Sequence, residues 1–424
     1  MRTLIKGGNI IIGNSSTIAD LLIEDDKIIE IGRINVKADK VIEADGLTII
    51  PGLVDMHVHL REPGFEYKET ILSGTKAAVK GGFTAVACMP NTSPVCDSEA
   101  VVALIKAKAA EANYAKVYPI GAITKESKGL ELAEMYKMKK AGIVAASDDG
   151  KPVSNGNIMR HAMEYAKTID LLLISHCEDI ELAAGGLVNE GYNSTISGLS
   201  GITRVSEEIM VAREIFLAEA LKTKIHLAHL STRGSIELVR QAKARGVKVT
   251  AETCPHYFAA NDDLILSFNS NTKVNPPLRT EDDRQEVIKG IADGTIDAIV
   301  TDHAPHHQDD KRVEYALAAN GISGLETSFA LGYTYLVKTG VITLYKLIEL
   351  MSINPAKIIG IISGINVGGI ADITIVNTED KYIIDSSKFI SKGKNTPFNG
   401  FEVYGSVQYT IVNGRLLVDK GQVL

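Results

Sequence analysis

Two histidines separated by one residue, His57 and His59 in the segment HVHLREPG, are the side chains of this sequence best suited to chemistry. On an extended strand both would point to the same side. Two imidazoles on one face at a strand end are suitable ligands for a metal such as zinc. Arg61, two residues further on, carries a planar guanidinium that matches a carboxylate. The segment therefore indicates an enzyme that hydrolyses a small acidic molecule.

The histidine pair lies in the first of eight predicted strands, which alternate with amphipathic helices from residue 50 to residue 340. The predicted strands cover residues 49–60, 84–91, 116–124, 143–149, 171–178, 224–231, 248–258 and 297–305. Because these segments are apolar throughout, we expect parallel strands that are buried on both faces. Eight such units predict an α/β fold of the (β/α)8 TIM barrel type. A doubly wound open sheet is the alternative, but no G-x-G-x-x-G follows the first strand.

The two ends of the chain differ from this pattern. They contain short β-like segments, such as LIKGGNIII and ADITIVN, separated by GGN, NG and KG turns. The simplest interpretation is that both ends fold together into one small β domain. We therefore expect a β-sandwich domain built from residues 1–50 and 365–424, and a metal-dependent hydrolase barrel over residues 51–364.

Further metal-binding residue types follow the other predicted strands. In a barrel of this kind the reactive side chains lie at the C-terminal ends of the strands. The candidates at these positions are Asp148 and Asp149 in SDDG, His176 in HCED, His229 in HLAHLS and Asp302 in TDHAPH. Each alone is more typical of a structural or turn residue. The whole set, with His57 and His59, predicts a site for two zinc ions bridged by one carboxylate.

Other polar residues near the strand ends suit an acidic ligand that bears amides. They are Asn91 in MPNT, Asn275 in KVNPPLR and His306, four residues past Asp302. Turn formation is the alternative for the two asparagines. His226 is predicted to be a packing residue, and the role of His256 stays open. The polar stretch 306–320 is long enough to form a lid over the site.

Composition excludes several classes of protein. A formal charge of −7 and the absence of a Lys/Arg-rich run argue against nucleic-acid binding. No apolar stretch approaches the roughly 18 residues needed to span a bilayer, so no membrane partner is expected. The start of the sequence lacks the features of an export signal. The four scattered cysteines indicate reduced thiols in a cytoplasmic protein.

Together these motifs resemble the dihydroorotases, the cyclic amidohydrolases of pyrimidine synthesis. The matching segments are PGLVDMHVHLREPG, MPNT, SDDG, HCED, HLAHLS, NPPLR, TDHAPH and GISGLET. They occur in the family's order, span almost the whole chain and are most similar to the longer bacterial-type class. The resemblance implies reversible interconversion of N-carbamoyl-L-aspartate and (S)-dihydroorotate on the route to UMP.

The resemblance also implies a role for each metal-binding residue. One zinc ion is expected on His57, His59 and Asp302, the other on His176 and His229, with Asp149 as the bridge. Asp302 is the expected general acid and base. Many relatives bridge their metals with a carboxylated lysine. The aspartate found here predicts no carbamate and allows the second zinc to be only partly occupied.

The substrate-binding residues are likewise implied by the resemblance. Arg61, Asn91 and His306 match positions that hold the substrate carboxylate. Asn275 and the backbone around Asn320 and Gly321 would contact the ring amides. Asn320 stands where related sequences often have phenylalanine, which makes this last contact a departure from the family pattern.

Two other functions are alternatives to this one. A hydantoinase or allantoinase would use the same barrel and metals on a different cyclic amide, but Arg61 favours an anionic ring. An inactive paralogue that scaffolds aspartate transcarbamoylase would be expected to lose ligands, and every expected ligand is present. The expected partners are a small-molecule substrate, a second copy in a homodimer and, as an open alternative, aspartate transcarbamoylase.

Overall fold

The computed structural model describes all 424 residues of the chain. The strands are β1 Arg2–Ile12, β2 Ser15–Glu24, β3 Lys27–Gly32, β4 Lys40–Glu43, β5 Thr48–Pro51, β6 Leu53–Val58, β7 Phe83–Cys88, β8 Lys116–Gly121, β9 Ala145–Ser147, β10 Leu172–Ser175, β11 Val188–Asn189, β12 Gly201–Ile202, β13 Ile225–Leu227, β14 Val249–Thr253, β15 Ala298–Ile299, β16 Ile373–Ile383, β17 Glu402–Val412, β18 Arg415–Asp419 and β19 Gln422–Val423. The α-helices are α1 Ile71–Lys80, α2 Glu99–Ala112, α3 Met135–Ala141, α4 Gly156–Thr168, α5 Ile180–Ala183, α6 Tyr192–Ser197, α7 Val205–Leu221, α8 Arg233–Ala244, α9 Pro255–Ala259, α10 Glu281–Asp293, α11 Gln308–Lys311, α12 Ser328–Gly332, α13 Leu344–Ile348 and α14 Asn354–Ile359. Two π-helical segments, Tyr333–Val337 and Glu349–Ile353, continue α12 and α13.

Eight parallel strands form the barrel. The strands β6 to β10 and β13 to β15 lie side by side in chain order. The last strand returns to the first through a bridge between Val58 and His303, where the backbone N–H of His59 donates to His303 O at 2.8 Å. Every residue of β6 and β7 is buried, as expected for parallel strands covered on both faces. The predicted α/β fold with a (β/α)8 TIM barrel is confirmed.

Helices cover the outside of the barrel with one apolar face each. In α4, for example, Met159, Ala162, Met163 and Ala166 are buried, which is the three- and four-residue spacing of a single helix face. The same packing continues around the barrel in one large hydrophobic cluster. The helices thereby hold the strands, and with them the strand ends, in fixed positions.

Every barrel strand is shorter in the structure than its predicted range, and for two of them the structure shows a specific cause. The first is divided at Gly52: β5 pairs with β16 in the other sheet, and only β6 belongs to the barrel. A Cβ at Gly52 would lie 2.2 Å from Thr84 Oγ1, so the chain passes there too closely for any side chain. The seventh ends at Thr253, because Pro255 begins α9 and proline favours the first turn of a helix.

The two ends of the chain form one mixed sheet of nine strands. Its order is β19-β18-β17-β16-β5-β1-β2-β3, with β4 paired to β1. The antiparallel pairing of Ile50 with Thr374 joins the N-terminal strands to the C-terminal ones. Side chains from both ends, among them Ile5, Ile23 and Ile411, share a hydrophobic cluster separate from that of the barrel. No helix has the length and apolar character required to cross a bilayer.

Candidate functional site

Five strand ends bring the predicted metal-binding residues together at one end of the barrel. His57 lies on β6, and the others follow directly after strands β6, β9, β10, β13 and β15. The side chains that meet there are His57, His59, Asp149, His176, His229 and Asp302. Asp148 points away from this group, because its carboxylate accepts hydrogen bonds from the backbone N–H groups of Ile123 and Thr124. Of the two aspartates in SDDG, only Asp149 reaches the site.

The backbone at this end of the barrel is strained. Arg61, His229 and Asp302 have positive φ angles of 62°, 35° and 45°. Residues other than glycine rarely adopt this conformation, which costs about 1–3 kcal/mol each and persists only where the surrounding structure enforces it. Three such residues around one cavity indicate a site whose geometry is imposed by the fold.

Asp149 and Asp302 both lie close to His57 and His59. His57 Nε2 is 3.3 Å from Asp149 Oδ1 and 3.6 Å from Asp302 Oδ1. His59 Nε2 is 3.0 Å from Asp302 Oδ1 and 3.5 Å from Asp149 Oδ2. The ligand atoms of His57, His59 and Asp302 all lie within 4.8 Å of one another. These are the three residues expected to hold one ion.

Asp149 also faces the histidines of the other strands. Its Oδ1 is 3.4 Å from His229 Nε2 and 3.7 Å from His176 Nδ1. His57, Asp149 and His229 form a second group of ligand atoms within 4.8 Å. Asp149 is therefore central to the cluster, the position that the sequence analysis expects of a bridging carboxylate.

The cluster has the features of a cation-binding site. Both His57 Nε2 and Asp149 Oδ1 are buried and have no hydrogen-bond partner. Buried polar atoms are nearly always paired, so two that face each other without a partner fit an ion held between them. Imidazole nitrogen and carboxylate oxygen together suit a divalent transition metal. The residues present thus fit a metal centre.

The charges within the cluster reinforce one another. Burial opposes protonation of His57, but the carboxylates of Asp149 and Glu252 raise its pKa well above the usual value. Burial likewise opposes ionisation of Asp149, yet the charge on His57 and the nearby imidazole of His229 lower its pKa well below the usual range. Because imidazole binds a metal ion in its neutral form, an ion held here would displace the proton from His57.

Glu252 on β14, which the sequence analysis did not identify, holds His57. His57 Nδ1 donates to Glu252 Oε1 at 2.6 Å, and His226 Nε2 donates to Glu252 Oε2 at 3.0 Å. His226 Nδ1 in turn accepts from Thr250 Oγ1 at 2.7 Å. Burial would raise the pKa of Glu252, but the charge on His57 and the two hydrogen bonds lower it to about 2. The carboxylate stays ionised and fixes the imidazole with Nε2 facing the site.

Two of the other cluster histidines, His59 and His176, are also held by hydrogen bonds to neighbouring side chains. His59 Nδ1 donates to Asn91 Oδ1 at 2.9 Å. His176 Nε2 donates to Glu178 Oε2 at 3.0 Å, and the same oxygen accepts from Asn275 Nδ2 at 3.1 Å. Asn91 and Asn275, expected to contact substrate, therefore also orient ligand histidines, one directly and the other through Glu178. Glu178 is a further residue that the sequence analysis did not single out, although it lies in the quoted motif HCED.

Replacing Glu252 by glutamine should weaken metal binding. The amide can accept only one of the two imidazole hydrogen bonds and leaves His57 free to turn. Loss of such an outer partner typically costs about 10–100-fold in metal affinity. The measurement is metal content after dialysis against graded concentrations of chelator. Glu214→Gln is the matched control, because Glu214 is equally buried but pairs with Arg213 and Ser175; equal losses in both variants would contradict the assignment.

The cluster opens into a cavity of about 170 Å³. This is below the roughly 300–1,000 Å³ of drug-sized pockets and suits a small metabolite. Ten of the predicted site residues line it: His59, Arg61, Asn91, Asp149, His176, His229, Asn275, Asp302, Asn320 and Gly321. The other three candidates, His57, Asp148 and His306, do not line it.

Arg61 supplies positive charge to this cavity. Its Nε donates to Pro305 O at 3.2 Å, which fixes the plane of the guanidinium. Burial lowers the pKa of Arg61 to about 10, with Asp302 and Asp149 acting in the opposite direction. The side chain therefore stays charged at neutral pH. A fixed, charged guanidinium beside a metal site fits a ligand that carries a carboxylate.

His306 lies behind the cavity wall. Its Nε2 donates to Asn320 O at 2.8 Å, and Nδ1 then accepts from Lys68 Nζ at 3.3 Å. Burial and the cations of Arg61, Lys68 and Lys311 lower the pKa of His306 to about 2, so the ring is neutral. Both ring nitrogens are thus occupied by protein groups. The substrate contact expected of His306 would require one of these bonds to open.

The remaining residues of interest lie outside the metal cluster. His256, whose role was open, is buried on α9, and burial lowers its pKa to about 4. Asp55 accepts hydrogen bonds from the backbone of His57 and Thr301 and so ties β6 to the segment after β15. The stretch 306–320, expected to be a lid, is anchored by side chains that point inwards, among them Lys311.

The chain is similar to known proteins along almost its whole length. A family model described as Dihydro-orotase-like matches residues 46–235. The dihydroorotase of Acetivibrio thermocellus is 55% identical over 98% of each chain, and that of Thermoanaerobacter sp. is 53% identical over 99% of this chain and 98% of its own. Among solved structures, L-hydantoinase (dihydropyrimidinase) from Arthrobacter aurescens has a TM-score of 0.89 at 26% identity, covering 100% of this chain and 97% of its own. D-hydantoinase (dihydropyrimidinase) from Thermus sp. has a TM-score of 0.84 at 25% identity, covering 100% and 96%.

Proposed function

The chain belongs to the dihydroorotase family, and from this we propose that it interconverts N-carbamoyl-L-aspartate and (S)-dihydroorotate with loss or gain of water. It is a hydrolase that acts on the C–N bond of a cyclic amide, and its place is in pyrimidine synthesis. The observation that carries the substrate is the cavity in which Arg61 and the histidine–aspartate cluster lie side by side. Dihydroorotate offers one carboxylate for the guanidinium and one ring amide for the cluster.

We propose zinc as the metal, with two ions. His57, His59 and Asp302 would hold one and His176 and His229 the other, with Asp149 between them; the second is expected to be partly occupied. When bound, zinc polarises an amide carbonyl and lowers the pKa of water to about 7. The donor set supports this choice, since zinc prefers imidazole and carboxylate ligands.

Asp302 is the proposed general base and acid. Burial opposes its ionisation, but the hydrogen bond from His59 and the charge on His57 lower the pKa of Asp302 below its usual range. The carboxylate is therefore free to accept a proton at neutral pH. In hydrolysis it would take the proton from the attacking water as the C–O bond forms. It would then give that proton to the ring nitrogen as the C–N bond breaks, which regenerates the carboxylate.

Arg61 would orient the substrate for this transfer. By holding the carboxylate with two parallel N–H groups, it places the ring amide towards the cluster, so that binding sets the direction of attack. Asn91 and Asn275 are proposed to complete the binding site with the backbone at Asn320 and Gly321. Contact with His306 is proposed for the state in which its bond to Asn320 O has opened.

Replacing Arg61 by methionine should raise the KM for dihydroorotate steeply. A charge-assisted hydrogen bond contributes about 1.5–3 kcal/mol, which corresponds to roughly 10–150-fold. Steady-state kinetics with dihydroorotate measure the change, and Arg415→Met, at the exposed first residue of strand β18, is the control. An unchanged KM in the Arg61 variant would show that Arg61 does not bind the substrate carboxylate.

The function itself is tested by metal analysis combined with substrate comparison. Purified protein should contain zinc and hydrolyse dihydroorotate, lose this activity on chelation and regain it when zinc is restored. Hydantoin and allantoin, assayed side by side, test the rival suggested by the hydantoinase structures. If hydantoin or allantoin were hydrolysed faster than dihydroorotate, that compound would be the substrate instead. Zinc-free protein with no activity on any of the three would instead favour the inactive scaffold.

Four further proposals concern domain organisation, location and partners. We propose a small β domain of residues 1–50 and 365–424 beside a barrel of residues 51–364, supported by the sheet that joins both chain ends. A cytoplasmic location is supported by four cysteines that are all buried and unpaired. A homodimer, and a complex with aspartate transcarbamoylase, are proposed from the family. Light scattering of the protein alone and mixed with the transcarbamoylase tests both.

A further inference from the structure

One wall of the cavity is held from behind by a side chain of the C-terminal region. Asn395 lies between β16 and β17 and is buried. Its Nδ2 donates to Ala304 O at 3.0 Å and to Gly321 O at 2.9 Å. Its Oδ1 accepts from the backbone N–H of His306 and from Ser323 Oγ, both at 3.0 Å. All four hydrogen-bonding sites of the amide are thus used.

These four partners lie at the two ends of one loop. Ala304 and His306 lie at the start of the loop, after β15. Gly321 and Ser323 lie at its end, after the stretch 306–320. The backbone N–H of Ser323 also donates to the backbone O of Asn395 at 2.7 Å. Asn395 therefore closes the base of the loop. Ala304 and Gly321, which it holds, both line the cavity.

A second buried side chain supports the same wall from inside the loop. Lys311 Nζ donates to Ala319 O at 2.7 Å and to Gly321 O at 3.3 Å. It also donates to Lys273 O at 3.3 Å, next to the segment that carries Asn275. Lys311 therefore links the segment that carries Asn275 to the segment at Asn320 and Gly321. These are the two sides of the cavity proposed to contact the ring amides.

The two segments of this wall lie close together. Gly321 has a φ of 144°, and a Cβ there would lie 2.7 Å from Ala304 Cβ and 3.1 Å from His306 Nε2. The segments at Ala304 and Gly321 therefore approach each other as closely as backbone allows. A small shift of either would change the position of Asn320, whose carbonyl is bound to His306.

We propose that Asn395, in the C-terminal region, is a positioning residue for the substrate. It fixes the position of the cavity wall formed by Ala304, Asn320 and Gly321. Lys311 supports the same wall from inside the loop. This inference rests on the proposed function, because the wall matters only if the cavity binds the substrate ring. Neither side chain contacts the reacting atoms. Their effect is on how tightly the substrate is held, and it makes the C-terminal region part of the binding site.

The test begins with Asn395→Asp, which preserves shape and the two accepted bonds but turns an acceptor towards two carbonyl oxygens. We expect the KM for dihydroorotate to rise about tenfold or more with kcat within about threefold and metal content unchanged. Amide hydrogen exchange should increase over residues 304–323. Asn399→Asp is the matched control, since exposed Asn399 only accepts hydrogen bonds, from the N–H and Oγ of Ser386.

Lys311→Met provides a second variant in case the first does not fold, with exposed Arg312→Met as its control. Normal KM and normal exchange in a folded Lys311 or Asn395 variant would overturn the inference, as would equal losses of kcat and metal. If the wild-type protein does not turn over dihydroorotate, the proposed function is wrong. If, in that case, amide hydrogen exchange over residues 304–323 still rises in Asn395→Asp, then Asn395 only supports the wall. That outcome too would overturn a role in binding dihydroorotate.

Discussion

Replacing His59 by alanine should abolish dihydroorotate turnover and remove most of the bound metal in the same step. His59 Nε2 faces both carboxylates of the cluster, at 3.0 Å from Asp302 and 3.5 Å from Asp149. Without the imidazole, two buried carboxylates would face each other with one ligand fewer to hold a cation between them. Since attack at neutral pH depends on the metal, we expect turnover to fall at least ~1,000-fold. Metal per chain and initial rate on the same sample measure both effects.

His161→Ala is the control for this variant. His161 lies on α4, and its side chain is 48% exposed and pairs only with Glu164. It should retain both metal and activity. If His59→Ala kept a full complement of metal and normal turnover, His59 would not be a ligand and the β6 histidine pair would lose its proposed role.

Replacing Asp302 by asparagine should reduce kcat about 10²–10⁴-fold while leaving substrate affinity much less changed. Asparagine has the same shape and retains an oxygen for His59, but it cannot take a proton from water. Asp302 has a φ of 45°, and asparagine is among the few residues that tolerate this conformation, so the backbone should be preserved. Single-turnover kinetics and substrate binding, measured on metal-loaded protein, separate the two effects.

The neighbouring variant Asp309→Asn controls for loss of charge in the same segment, because the Asp309 side chain is 81% exposed. Its kinetics should match those of the wild type. A metal-loaded Asp302→Asn protein with normal kcat would show that another group moves the proton. Loss of metal without a change in the rate per bound ion would leave Asp302 as a ligand only.

The metal-binding residues predicted from sequence share one property: each lies at the end of an apolar strand or within a few residues after it. The periodic alternation of strands and helices predicts the barrel, and the barrel predicts that strand ends meet, so His176 and Asp302 could be placed together although they are far apart in the chain. The prediction of the barrel therefore led directly to the prediction of where the candidate site lies. What the pattern could not resolve was which of two adjacent aspartates points inwards. That depends on the segment after β8, whose backbone N–H groups bind Asp148.

Residues that act from outside the cavity were not predictable in this way. Glu252 lies in the middle of the motif TAETCPHY, where only the packing of β14 against His57 reveals its role. Asn395 is further from its partners in sequence and belongs to a region with no catalytic motif. Gly52 likewise divides one continuous apolar run between two sheets, which no periodicity marks. Such roles follow from contacts between distant elements and not from local pattern.

The single residue Gly52 between β5 and β6 has a consequence for how the protein unfolds. β5 is paired with β1 and β16, while β6, one residue later, carries His57. Loss of the sheet would therefore release the first barrel strand, and with it the metal centre. We expect barrel and sheet to melt in one cooperative transition. Neither is a module that could be trimmed away or exchanged between relatives without loss of the other.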